Sequence, residues 1–138
     1  MKIKFRFSCF DKIPTSVYGG LHGFSAETKI EELEVGKQFV VYGINTIKRH
    51  LWYLIQDNQM IYPMYYPSAL FEIIDGRLSS FWIARENLDD YDDNVKAIDI
   101  GIREIVENKY FYGELLEDNS EYKGIFDEYK KNIKNEFT

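Results

Sequence analysis

At 138 residues the chain is long enough to bury one hydrophobic core and short for two, since domains commonly run to about 100–150 residues. Apolar residues make up 45% and aromatics 17%, enough burial to offset the entropy of ordering the chain and to exclude disorder over most of its length. The net charge of −6 is uneven, with ten basic against eight acidic residues up to Arg85 and seven against fifteen after it; such a field attracts a basic partner and repels a phosphate backbone, which speaks against nucleic-acid binding.

Ile3, Phe5, Phe7 and Cys9 alternate with Lys2, Lys4, Arg6 and Ser8, the pattern of a half-buried strand. Residues 11–30 hold Pro14, Gly19, Gly20 and Gly23 and predict a long loop with at most short extended pieces. Gln38–Ile44 is apolar on both faces and predicts a central strand. Leu51–Gln56 and Met60–Tyr66, joined by Asp57-Asn58-Gln59, predict a hairpin. Pro63 has no N–H to donate, which places its strand at a sheet edge or at a bulge. Leu70–Ile74 and Leu78–Ala84 add two strands about an Asp75-Gly76 turn.

The polar stretch Glu86–Asp93 reads as a junction, after which the period changes. Val95, Ile98, Ile102, Ile105 and Val106 recur at spacings of three and four and predict an amphipathic helix, with Asp92 and Asp93 suited to its N-terminus. Tyr110–Leu116 predicts a short helical piece. Tyr122, Ile125, Phe126, Tyr129 and Ile133 mark one face of a final helix, with Lys130, Lys131 and Lys134 in its closing turns. Strands first and helices last imply an α+β fold in a single domain, β-rich over 1–85 and acidic and helical over 86–138. The expected architecture is a small curved antiparallel sheet or an SH3-like partial barrel followed by C-terminal amphipathic helices.

The chemistry-bearing residues are sparse. One Cys and two His, His22 and His50, lack the spacing of a zinc site, and the glycines near His22 lack the Lys-Ser/Thr ending of a phosphate loop. Cys9 continues the apolar face of the first strand and reads as a small buried residue, and His50 reads as an exposed turn residue. No nucleophile, base and orienting group fall at recognisable spacing, so the expectation is a protein that is not an enzyme and takes no cofactor or metal. Cys9 has no internal disulfide partner, MKIKFRFSC lacks a signal-peptide core, and charges break every apolar run short of a membrane span; these features predict a cytoplasmic protein without membrane association.

Two features invite a binding role. Asp89, Asp90, Asp92 and Asp93 lie in one short run, which serves either as a solvated helix entrance or as an anionic patch for Lys and Arg, with Glu114, Glu117 and Asp118 extending it. Trp52, Tyr53, Tyr62, Tyr65 and Tyr66 supply large rigid rings with polar tips. Strand alternation puts Tyr62, Met64 and Tyr66 on one face and Ile61, Pro63 and Tyr65 on the other.

Val35-Gly36-Lys37 before a strand, then Tyr42-Gly43-Ile44, then the run from Tyr66-Pro67 through Leu70-Phe71 and Asp75-Gly76 into Phe81-Trp82 resemble the pattern of small bacterial immunity proteins from polymorphic-toxin and contact-dependent-inhibition loci. The resemblance covers about residues 33–85 and implies a stoichiometric inhibitor of a cognate toxin domain, for which a nuclease with a basic cleft is the fitting class. On that reading the charge split points to Asp89, Asp90, Asp92, Asp93, Glu114, Glu117 and Asp118 as partner-binding residues, with Trp52, Tyr62 and Tyr65 as aromatic anchors. The order of strands is also similar to SH3-like barrels, which leaves a peptide-binding module as the alternative, its groove formed by exposed Trp52, Tyr62 and Tyr65. The Pro-containing edge strand leaves self-association open.

Overall fold

The computed structural model describes residues 1–47, 49–92 and 95–138, with 87–92, 95 and 96 described through the backbone alone. Its strands are β1 (Lys2–Phe5), β2 (Gln38–Val40), β3 (Gly43–Ile47), β4 (His50–Ile55), β5 (Met64–Pro67), β6 (Phe71–Asp75), β7 (Trp82–Asp92) and β8 (Val95–Ile102). The helices are α1 (Arg103–Glu107), α2 (Phe111–Leu116) and α3 (Ser120–Glu136). The fold is mixed α+β, with two antiparallel sheets of order β2-β1-β6 and β5-β4-β3-β8-β7 and the helices at the C-terminal end of the chain.

β1 behaves as its alternation predicts: Ile3 and Phe5 are fully buried, and β1 lies between β2 and β6. The loop that follows is more ordered than its glycines suggest. Two short 3-10 turns, Phe10–Lys12 and Thr15–Val17, bury Phe10 and Val17, and the Cys9 thiol, only half-buried, donates to the Ala26 carbonyl at 3.4 Å. β4 and β5 pair antiparallel and β5 lies at an edge of its sheet, but β5 begins only at Met64: Ile55 pairs with Met64 across a loop longer than Asp57-Asn58-Gln59, and Pro63 lies in that loop and not in the strand.

The single strand expected over Gln38–Ile44 is two strands in different sheets. At the crossing, Val41 donates to the Met1 carbonyl at 3.1 Å and Tyr42 to that of Leu54 at 2.8 Å. Both faces are apolar because the segment serves two cores, Phe39, Val41 and Ile44 in one and Tyr42 in the other. The chain then turns sharply through Arg49, at φ 67°, into a hairpin that pairs Ile47 with His50. His50 is therefore a half-buried strand residue and not an exposed turn residue.

The largest correction concerns the amphipathic helix expected from Val95. Val95–Ile102 is β8, paired with β7, and helix begins only at Arg103. Ile98, Ile100 and Ile102 also alternate with period two, and β3 offers β8 a partner at close range: Gly43 pairs with Gly101, where an added Cβ would stand 3.4 Å from the Gly43 Cα. The sheet supplies what the helical spacing could not: a tertiary partner for every second residue. Glu86–Asp93 is accordingly no junction, since β7 runs through Asp92, and no helix begins where Asp92 and Asp93 were expected to cap one; Asp93 itself lies outside the described residues. The division after Arg85 fails with it, because strands continue to Ile102. The strand expected over Leu78–Ala84 begins at Trp82.

α2 and α3 follow their apolar periodicity, except that Ile125, expected on the packed face of α3, is exposed. Asn119 caps α3 by accepting the Glu121 N–H at 3.1 Å, satisfying one donor that the first turn leaves free. Phe111, Leu115, Phe126 and Ile133 pack with Tyr42, Leu54 and Ile102, seating the helices on the five-stranded sheet.

Candidate functional site

A concavity of ≈ 720 Å³ lies where the five-stranded sheet meets α1 and α2. Register builds its floor: β8 places Asp99 opposite Asn45 of β3 on one side and opposite Arg85 of β7 on the other, so the three stand in a row. Tyr65 of β5 completes the floor, and Ile105, Lys109, Tyr110 and Tyr112 form the helical wall. The Tyr65 and Tyr112 rings meet edge to face at 5.1 Å, and the Tyr112 hydroxyl donates to the Pro63 carbonyl at 3.1 Å.

Burial pushes the ionisation of Tyr65 well above the ordinary tyrosine value, neighbouring Tyr112 and Asp99 add to the effect, and a hydrogen bond with the Asn45 side chain draws it partly back. Burial likewise pushes Tyr112 up to about 12. Both are neutral phenols near neutral pH, so they offer ring faces and hydroxyls for contact and no base for proton abstraction. The Lys109 ammonium sits over the Tyr110 ring at 5.3 Å, and Arg103 pairs with Glu107 at 2.8 Å on the helical rim.

The residues singled out from the sequence fall in separate environments. Asp89, Asp90 and Asp92 belong to the outer part of β7, their side chains being outside the description. That part of the hairpin is an arm: β8 pairs with β3 only over 99–101, whereas its pairing with β7 continues to Val95 opposite Asp92. Glu114 is half-buried and accepts from the Asn119 amide at 2.9 Å. Glu117 is exposed, and Asp118 is exposed but paired with Lys123 at 2.5 Å. Tyr62 is half-buried in a small crevice beside Leu115 and Phe126.

Trp52 overturns the expectation of an exposed anchor. It is 3% exposed and meets the Phe24 ring at 5.7 Å, so it belongs to the core. The groove residues Asn45, Asp99, Lys109 and Tyr112 went unnoticed in the sequence. Asp99 alone carried a signal, a carboxylate set between Ile98 and Ile100.

A second concavity flanks α3, where Phe81 stands beside Gly124, Ile125 and Tyr129. Among the described residues, no group of His, Cys, Asp and Glu is gathered to hold a metal ion, and no helix is long and apolar enough to cross a membrane. Compared with known proteins, the chain matches no family model, no curated protein and no solved structure.

Proposed function

We propose that this protein is an immunity protein: it binds a cognate bacterial toxin domain one to one in the cytoplasm and neutralises it, without catalysis of its own. A nuclease with a basic active-site cleft is the toxin class that fits. The observation that carries the reading is the place of the acidic run, since Asp89, Asp90 and Asp92 lie on a two-stranded arm reaching past β3. An arm of this kind can deliver carboxylates into a basic cleft that a flat face cannot enter. Exposed Glu117 adds to the acidic end of the chain.

Tagged protein recovered from the bacterium that encodes it tests the reading directly. The expected result is an equimolar complex with the C-terminal region of a large secreted protein; recovery of no protein partner sinks the proposal. Replacing Asp89, Asp90, Asp92 and Asp93 with Asn then slows association with that partner by about tenfold or more at low salt and flattens its salt dependence, as stopped-flow mixing would record. Unchanged kinetics remove the arm from the interface.

An SH3-like peptide-binding module is the second reading. It is favoured by Tyr65, Tyr110 and Tyr112, which line the groove and present the ring faces that extended Pro-rich segments use. Trp52 has no part in that groove. Saturable binding of a Pro-rich peptide, abolished by Tyr112→Ala, would move this reading to the front.

A further inference from the structure

Phe81, in the loop ahead of β7, and Gly124, Ile125, Glu128 and Tyr129 of α3 enclose an open notch of ≈ 690 Å³. Phe81 is 39% exposed and Ile125 36%, large apolar side chains left uncovered side by side. The display of Phe81 is built in. Glu136 at the end of α3 accepts hydrogen bonds from the Ser79 hydroxyl at 2.5 Å, from the Ser80 N–H at 2.9 Å and from the Ser80 hydroxyl, while Ser79 Oγ accepts the Phe81 N–H at 3.1 Å. The ring also meets Tyr129 edge to face at 6.2 Å. A wall held this way loses little freedom when something packs on it, which is the condition for an efficient anchor site.

The floor is equally unusual for a helix. Gly124 sits inside α3 with nothing within 4 Å of the position a Cβ would take, so no packing in the free chain calls for glycine. It costs the helix about 1 kcal/mol against alanine, and its effect is to leave bare backbone at the bottom of the notch.

The charge around the notch has one sign. Glu121 and Glu128 are exposed on its rim, and neither carboxylate is drawn into an ion pair among the described residues. Of the lysines of α3, Lys123 pairs with Asp118 and Lys130 with Asp127, while Lys131 and Lys134 are not among the residues that line the notch. A second copy of this chain, with net charge −6, would bring one acidic rim against another. We infer that the notch receives an apolar side chain of the partner protein, carried on a segment whose flanking lysines or arginines meet Glu121 and Glu128. The inference rests on the inhibitor reading and adds to it a contact distinct from the acidic arm.

The test titrates a synthetic peptide of leucine, tryptophan and lysine into the isotope-labelled full chain, followed by heteronuclear NMR, with the same peptide carrying glutamate for lysine as control. The lysine peptide shifts the amides of Phe81, Gly124, Ile125 and Glu128 saturably. Ile125→Ser weakens it at least about tenfold without disturbing distant amides, and Glu121→Gln with Glu128→Gln flattens its salt dependence. Shifts centred elsewhere, equal binding of the glutamate peptide, or shifts of the same amides on concentrating the free chain, the sign of a second copy, overturn the inference. If an equimolar partner is purified and binds the Ile125→Ser chain as tightly as the parent, the notch is refuted and the inhibitor reading stands. If no such partner exists while the lysine peptide still seats beside Ile125, the inhibitor reading fails and the notch remains a basic-segment site.

Discussion

Glu136 shows how much one side chain can organise. Burial works against its charge, but the bonds from Ser79 and Ser80 outweigh that and hold its carboxyl below the usual glutamate range. A depressed carboxyl contributes stability that is complete above its unfolded value and is lost as pH falls through the lower folded one. Glu136→Gln keeps the shape and weakens the charge-assisted bonds, so a loss of about 1 kcal/mol is expected in urea denaturation at neutral pH, shrinking as the buffer is made acid. A variant equally destabilised at every pH would mean that shape and not charge holds the loop. At this scale the sequence was uneven in what it disclosed. Ile3 and Phe5 were legible as core from alternation, whereas Trp52 was not, because its burial depends on Phe24 arriving from a loop with no periodicity to read.

Among the elements, the joint between β3 and β8 depends on the close approach of two glycines. An added Cβ at Gly43 would lie 3.3 Å from the Ile100 carbonyl, and one at Gly101 would lie 3.5 Å from that of Tyr42. The Ile100 carbonyl belongs to a paired strand and has little room to retreat, whereas at Gly101 a Cβ alone would make ordinary contacts and it is the further methyl groups of a branched side chain that would press on the Gly43 and Tyr42 backbone. Gly101→Val is therefore expected to cost about 2–3 kcal/mol in a denaturant melt and to loosen β8 from β3, which hydrogen exchange at Ile100 would report. The same pairing explains why this element was misread. Val95, Ile98, Ile102, Ile105 and Val106 satisfy a helical spacing in isolation, and only the partner strand decides between that and the alternation Ile98, Ile100, Ile102. α2 and α3 met no such competitor, and their apolar faces were read correctly except at Ile125, which is exposed.

Across the whole molecule, burial is the chief cause that raises the ionisation of Tyr42, Tyr53, Tyr65, Tyr66 and Tyr112. A phenol kept neutral in the fold but free to ionise once unfolded supports the fold below its unfolded value, near 10, and that support fades as pH climbs past it toward the folded value. Alkaline unfolding should thus begin above about pH 10, with the tyrosinate absorbance of these five rings rising in step with loss of circular dichroism; absorbance that precedes unfolding would show them more accessible than the fold implies. The groove and the notch are properties of this scale as well. Each joins residues far apart in the chain, Asn45 with Asp99 and Phe81 with Ile125, so neither could be seen by scanning neighbours.

The position of β1 between β2 and β6 bears on how the chain is made. During translation, Ile3 and Phe5 have no strand beside them until Gln38–Val40 has left the ribosome, and their second flank stays open until Phe71–Asp75 follows. At ordinary elongation speeds that wait is on the order of seconds. Closing so long a separation also makes this three-stranded sheet a late step in folding, and the nascent chain carries Ile3 and Phe5 uncovered through the interval in which chaperones act.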